Sequence, residues 1–140
     1  MDLIYSDCFL LGFLNTFKHV DGRKRIQKLI YLVNKKYNEP IPFDYEIYLY
    51  GPYSIELQNS LIRLTNLQLV KESIINKGLV KNYSYDITPT GSFIFKMLSK
   101  KVPLGVTEVF NKLYKEYSET ATNKIVEEVY EITGIKNYGE

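Results

Sequence analysis

The sequence predicts an α+β fold: a mostly helical domain with a small antiparallel sheet and additional helices toward the C-terminal end. Three observations carry that expectation. Apolar residues recur at helical spacing in separate stretches, most of them bounded by residues that start or stop helices. The run Phe43 to Leu49 alternates apolar and mostly polar residues, the period of a half-buried strand. Two further β-rich runs, Leu69 to Ile75 and Leu79 to Ile87, flank a glycine-containing loop and read as a hairpin.

The first helix is expected over residues 3–18. Its continuous apolar run, Cys8 to Leu14, interrupted only by Gly12, is far shorter than the ~20 residues that span a bilayer. Asp2 and Asp7 stand where a signal peptide would need bases. The run reads as a helix buried on most of its circumference, with a homodimer seam through Leu10, Leu14 and Phe17 as the alternative. In the second helix Ile26, Leu29, Ile30, Val33 and Tyr37 define a buried face. Asp21 is placed to cap its first turn, and Asn38, Pro40 and Pro42 stop it. The strand 43–49 is then broken by Gly51-Pro52. Ser54 caps a third helix, Glu56 sits in its first turn where the macrodipole favours a carboxylate, and Leu57, Leu61 and Leu64 form its buried stripe. The hairpin follows, with its loop at Asn76-Lys77-Gly78 and with Leu79, Tyr83, Tyr85 and Ile87 on one face of the second arm. Thr88-Pro89 starts a fourth helix, Thr as N-cap and Pro at the first position, where a missing N–H is harmless. That helix runs over 90–100. Pro103 and Gly105 separate it from a fifth, marked by Val109, Leu113 and Tyr117, and a sixth carries Ala121, Ile125, Val129 and Ile132 and ends at Gly134.

The 140 residues fit one domain, 1–140, with a core over 1–101 and a C-terminal helical pair over 102–140 packed on it. One Cys, expected to be buried as Cys8, excludes an intramolecular disulfide and a thiolate zinc cage. One His leaves little for a catalytic pair or a metal site. No Gly-rich phosphate loop, nucleophile elbow or paired-metal motif is present. The expectation is a cytoplasmic, non-enzymatic binding module without cofactor, metal or membrane span. The formal charge of +2 excludes a wholly basic nucleic-acid coat, but the charges are blocky. Residues 23–36 hold Arg23, Lys24, Arg25, Lys28, Lys35 and Lys36 with no acid, and residues 37–60 hold Glu39, Asp44, Glu46 and Glu56 with no base. A bias to Lys, Ile, Asn and Tyr with scarce Ala suggests an AT-rich prokaryotic or viral genome.

Two resemblances add to this reading. Leu64-Thr65-Asn66-Leu67-Gln68-Leu69-Val70, followed by the hairpin and Ile87-Thr88-Pro89-Thr90-Gly91, resembles the wing region of winged-helix regulators, in which a similar stretch ends the recognition helix. The expected architecture of 1–101 is accordingly winged-helix-like. The segment 38–53 departs from that pattern, because a DNA-reading helix pair is joined by about 3–4 residues. The second resemblance rests on Gly22-Arg23-Lys24-Arg25-Ile26-Gln27-Lys28-Leu29-Ile30-Tyr31-Leu32 and Tyr48-Leu49-Tyr50-Gly51-Pro52-Tyr53-Ser54, with Leu61 and Leu64 after them. These segments resemble the uncharacterised prokaryotic YwgA family and, more distantly, the Panacea (SocA-like) antitoxin-associated domain. The likeness covers residues 20–90. It implies a compact, mostly helical domain with a small sheet and no catalytic residues; on the Panacea side it implies neutralising a partner toxin by protein contact.

Two functions from different classes follow. One is a DNA-associated transcriptional regulator binding duplex DNA. Lys24, Lys28 and Lys35 fall within about 40° of one another at the helical repeat and would neutralise phosphates, unless they form an ordinary solvated face. Asn59 and Arg63, with Asn66, would approach base edges. Lys77 would lay the hairpin tip on the backbone, unless the charged edge serves only against sheet-to-sheet aggregation. The other is an antitoxin-like or adaptor protein that holds a partner protein through Tyr48, Tyr50, Tyr53, Ile55 and Ile62. Tyrosine buries area at low entropy cost and keeps a polar tip, which suits interfaces. Ile55 and Ile62 lie only about 40–60° from Asn59 and fit a protein better than a phosphate-lined groove. Tyr45 is in phase with buried positions. His19 is expected at the end of the first helix with no partner implied, and Glu127, Glu128 and Glu131 on a solvated helix face.

Overall fold

The computed structural model describes residues 3–134, except for the side chain of Lys77. In chain order the elements are α1 (Tyr5–Phe17), β1 (His19–Asp21), α2 (Arg23–Lys35), β2 (Glu46–Tyr48), β3 (Gly51–Tyr53), α3 (Ile55–Asn66), β4 (Val70–Lys77), β5 (Val80–Ile87), α4 (Pro89–Leu98), a 3-10 turn at Ser99–Lys101, α5 (Leu104–Tyr117) and α6 (Thr122–Thr133). The fold is α+β, as the hydrophobic periods require. No described helix is long and apolar enough to cross a membrane.

α1 is the axis of the core. Its apolar run packs against α3, α4 and α5, with Phe110 of α5 meeting the rings of Phe9 and Phe13 edge-on at 5.0 and 5.9 Å. Leu10, Leu14 and Phe17 are buried in this same core, so they are not the homodimer seam. A helix that is apolar all round is enclosed by its own chain. Buried residues of α5 and α6, among them Val106, Leu113, Ile125 and Val129, belong to the same apolar cluster.

The larger sheet is antiparallel, in the order β1-β5-β4. β1 has three residues and carries no periodic signal of its own; it forms because Lys18, at φ +67°, turns the chain onto the edge of β5. Asp21 is consequently a strand residue, and the N-cap of α2 is Gly22, which offers no side-chain cap. His19 likewise belongs to β1, paired opposite Asp86. β4 and β5 meet at Gly78-Leu79, with Lys77 opposite Val80. The turn thus lies later than 76–78, and Leu79 is wholly exposed at its tip instead of facing inward. Tyr85 is buried, and Tyr83 and Ile87 pack half-buried beside the core.

The segment 43–53 folds differently from the single strand its alternation suggests. Only Glu46–Tyr48 is strand, and Gly51-Pro52-Tyr53, expected to break the run, is the returning strand of a two-stranded hairpin. No third strand needs the N–H that Pro52 lacks. Phe43 and Tyr45 turn inward, while Ile47 and Leu49 are exposed.

Local helix signals hold. Ser54 Oγ accepts from the Leu57 amide at 3.1 Å and Thr88 Oγ1 from the Gly91 amide at 2.9 Å. Leu57, Leu61 and Leu64 are buried, and Gly134 ends α6 in the left-handed region. Gly105 lies inside the first turn of α5 rather than between helices, and Ile132 is exposed.

Candidate functional site

The six bases of residues 23–36 do not form one basic face. Arg23 donates to the Tyr85 hydroxyl at 2.8 Å and to Glu72 at 3.3 Å, and its guanidinium lies 3.8 Å from the centre of the Tyr83 ring. Arg25 donates to the carbonyls of Tyr117 and Thr120 at 2.6 and 2.5 Å, satisfying backbone acceptors where α5 ends. Lys36 donates to Glu116, to the Tyr117 hydroxyl at 2.6 Å and to Glu128 at 2.8 Å. Burial lowers the Lys36 pKa, but the bonds to Glu116, Glu128 and Tyr117 outweigh it and raise the pKa. Glu128, expected on a solvated face with Glu127 and Glu131, is thereby half-buried in an ion pair. Lys28 is only 4% exposed, which removes it from the expected row of Lys24, Lys28 and Lys35. The reason is tertiary: the β2–β3 hairpin crosses α2 at this turn and takes the ammonium onto its carbonyls. Lys24 and Lys35 remain exposed.

The base-reading positions fare similarly. Arg63 donates to both carboxylate oxygens of Asp7, at 2.8 and 3.2 Å, and Ser60 donates to the same buried carboxylate at 2.5 Å. Its fork therefore ties α3 to α1, while Asn59 and Asn66 stay exposed. Lys77 ends β4, and its side chain lies outside the described residues. His19 does have partners: Nδ1 lies 2.7 Å from Asp86 and Nε2 2.8 Å from Asp21, and the bond to Asp86 leads in raising its pKa.

What comes together instead is the pair of segments around Gln27 and Gly51. The Gln27 side chain donates to the Ser54 carbonyl at 2.8 Å and accepts from the Ser54 amide at 2.9 Å. Lys28 Nζ donates to the Pro52 carbonyl at 2.7 Å and the Tyr50 carbonyl at 3.5 Å. The Tyr130 hydroxyl of α6 donates to the same Tyr50 oxygen at 3.0 Å. Gly51, at φ +100°, is required twice over: a Cβ there would also stand 2.8 Å from the Tyr130 ring and 3.2 Å from Lys28 Nζ. The buried Tyr45 hydroxyl donates to the Gln27 carbonyl at 2.7 Å, and desolvation holds its pKa far above the ordinary value.

Fastened this way, the hairpin forms one wall of a cleft of about 570 Å³. Tyr48, Tyr50 and Tyr53 line it with Ile55 of α3, and Lys24 and Lys28 of α2 lie along its floor. Tyr50 is 68% and Ile55 58% exposed, so much of this apolar surface is unburied by the chain itself. The Tyr48 and Tyr53 rings meet edge-on at 6.1 Å. Ile62, also exposed, lies two turns further along α3 and outside the cleft. Sequence reasoning found the tyrosines and Ile55 but placed Lys28 on another surface and missed Gln58, which also lines the cleft. Burial and the nearby Lys24 charge lower the Lys28 pKa to about 8.

No protein-family model matches the chain. The chain is 42% identical over 71 residues to the uncharacterized protein YwgA of Bacillus subtilis strain 168, a stretch that makes up 51% of this chain and 42% of that protein. It thus spans less than half the length of the curated relative it matches, and over half of its own length it is similar to YwgA, in keeping with a YwgA-like family.

Proposed function

We propose that the protein is a non-enzymatic adaptor, antitoxin-like in its mode of action, that holds a segment of a partner protein in the cleft between the β2–β3 hairpin, α2 and α3. The observation that carries this is the exposed apolar lining: three tyrosines and Ile55 converge on one concavity that the described residues leave open. Aromatic anchors in a preformed concavity are the usual centre of a protein interface. The consumption of Arg23, Arg25, Lys28, Lys36 and Arg63 in internal bonds weighs in the same direction.

The test is site-specific photocrosslinking in the source cells. A crosslinker at position 50 is expected to give a discrete covalent product with one partner, and Ile55→Asp is expected to abolish it without changing the melting temperature. The same products from a crosslinker at Asn111 of α5, exposed and outside the cleft lining, would sink the proposal.

A second reading, a DNA-associated regulator of winged-helix-like architecture, draws support from the sheet order. β1 lies between the first two helices and pairs with the second arm of the hairpin that follows α3, and β2–β3 reads as an insertion before α3. Lys71 and Lys81 are exposed on the arms of that hairpin, and Lys24 and Asn59 are exposed as well. Filter binding of duplex DNA across a salt series separates the readings; no retention at low salt ends this one.

A further inference from the structure

The floor of the cleft holds positive charge that no acid among the described residues answers. Lys28 Nζ meets two backbone carbonyls, and no described carboxylate pairs with it. Carbonyl dipoles satisfy hydrogen bonds without supplying a counter-charge, and an ammonium has a third donor beyond the two used here. Lys24 stands one helical turn earlier, exposed and also without a described ion pair, so two like charges face one another at i, i+4. The acids of neighbouring segments are engaged elsewhere: Glu46 accepts from the Tyr48 hydroxyl, Glu56 from the Asp44 amide and Glu72 from Arg23. Lys36, on the same helical segment, shows the contrast, because two glutamates of α5 and α6 neutralise it. A buried ammonium beside an open apolar cleft thus lacks the partner that a purely structural lysine receives.

We propose that the cleft recognises an acidic peptide segment of the partner, with an apolar side chain seated among Tyr48, Tyr53 and Ile55 and an Asp or Glu carboxylate placed between Lys24 and Lys28. This rests on the partner-binding reading of the same cleft and names the chemistry of what it binds. The carboxylate completes a charge-assisted hydrogen bond to the third Lys28 donor and relieves the repulsion between the two lysines. The tyrosines and Ile55 supply the apolar contact area that a carboxylate alone lacks.

The probe is a displayed library of random linear peptides selected on the full chain. Selected peptides are expected to pair Asp or Glu with a neighbouring aromatic or aliphatic residue and to lose binding to Ile55→Asp. In a selected peptide, exchanging the acid for its amide is expected to weaken binding about tenfold to a hundredfold. Lys24→Gln, at an exposed position that leaves the fold undisturbed, is expected to weaken it about threefold. Lys28→Met, checked for native melting, is expected to select peptides that keep the apolar residue and drop the acid. Ile55-dependent peptides lacking acid would overturn this inference and leave the partner-binding reading standing. Failure to select any Ile55-dependent peptide would overturn both.

Discussion

Gln27 meets Ser54 through both ends of its amide, donating at 2.8 Å and accepting at 2.9 Å. Removing that side chain leaves the buried Ser54 N–H without a partner and its carbonyl with only the Gln58 amide at 3.3 Å. The unsatisfied N–H costs about 1–3 kcal/mol and the lost second bond about 0.5–1.5 kcal/mol, so Gln27→Ala is expected to lower stability by about 2–4 kcal/mol, measured as a fall in the urea midpoint. Lys28 gives a prediction with a definite sign. Its folded pKa of about 8 lies below the ordinary 10.5. Below pH 8 both states hold the proton, and the penalty for burying the charge is present in full. Between pH 8 and 10.5 the unfolded chain binds more protons, so stability rises with pH across that window. Wild type is therefore expected to gain on Lys28→Met by about 2 kcal/mol over the window, after allowing for water in the cleft. The tyrosines oppose this only above pH 10, since Tyr85 and Tyr117 are held above their ordinary value by desolvation first. A difference curve flat from pH 8 to 10 would show that Lys28 carries no such penalty.

At the level of elements, close backbone contact sets the tolerances. A Cβ on Gly91 would lie 2.0 Å from the Leu69 carbonyl oxygen, which is backbone and cannot swing away. Gly91→Ala is expected to force α4 off the sheet and lower stability by about 2–4 kcal/mol in a urea titration, within the range for overpacking and lost hydrogen bonds. The start of α4 was nonetheless legible, because Thr88 and Pro89 act on amides within the same turn. Ser54 was legible for the same reason. β1 was not, since three residues cannot display a period and its hydrogen bonds come from β5. The β2–β3 hairpin was legible only in part. Alternation identified extended backbone at Glu46–Tyr48, but Gly51-Pro52 reads as an interruption until Lys28 and Gln27 are seen to hold it in place.

Across the whole molecule, Arg25 and Lys36 fasten α2 to α5 and α6, and Phe110 covers α1 between them. A chain ending at Lys101 would expose that face of α1 and leave Arg25 buried against nothing. It is expected to lose cooperative urea unfolding and to bind a hydrophobic dye, whereas a sharp native transition would show that α5 and α6 are dispensable. By itself the sequence determined the helices, the Ser54 and Thr88 caps, the long hairpin, the core stripes of α1, α2 and α3 and the tyrosine-rich character of residues 45–53, all of which depend on local period and local hydrogen bonding. The tertiary structure alone decided which charges are surface. A lysine or arginine side chain is long enough to reach another element, and the sequence states its sign but not its partner. Lys28 and Arg63, which read as nucleic-acid contacts, became internal ties, and Lys28, held by carbonyls rather than by an acid, came to lie at the floor of a cleft built from a segment more than twenty residues away.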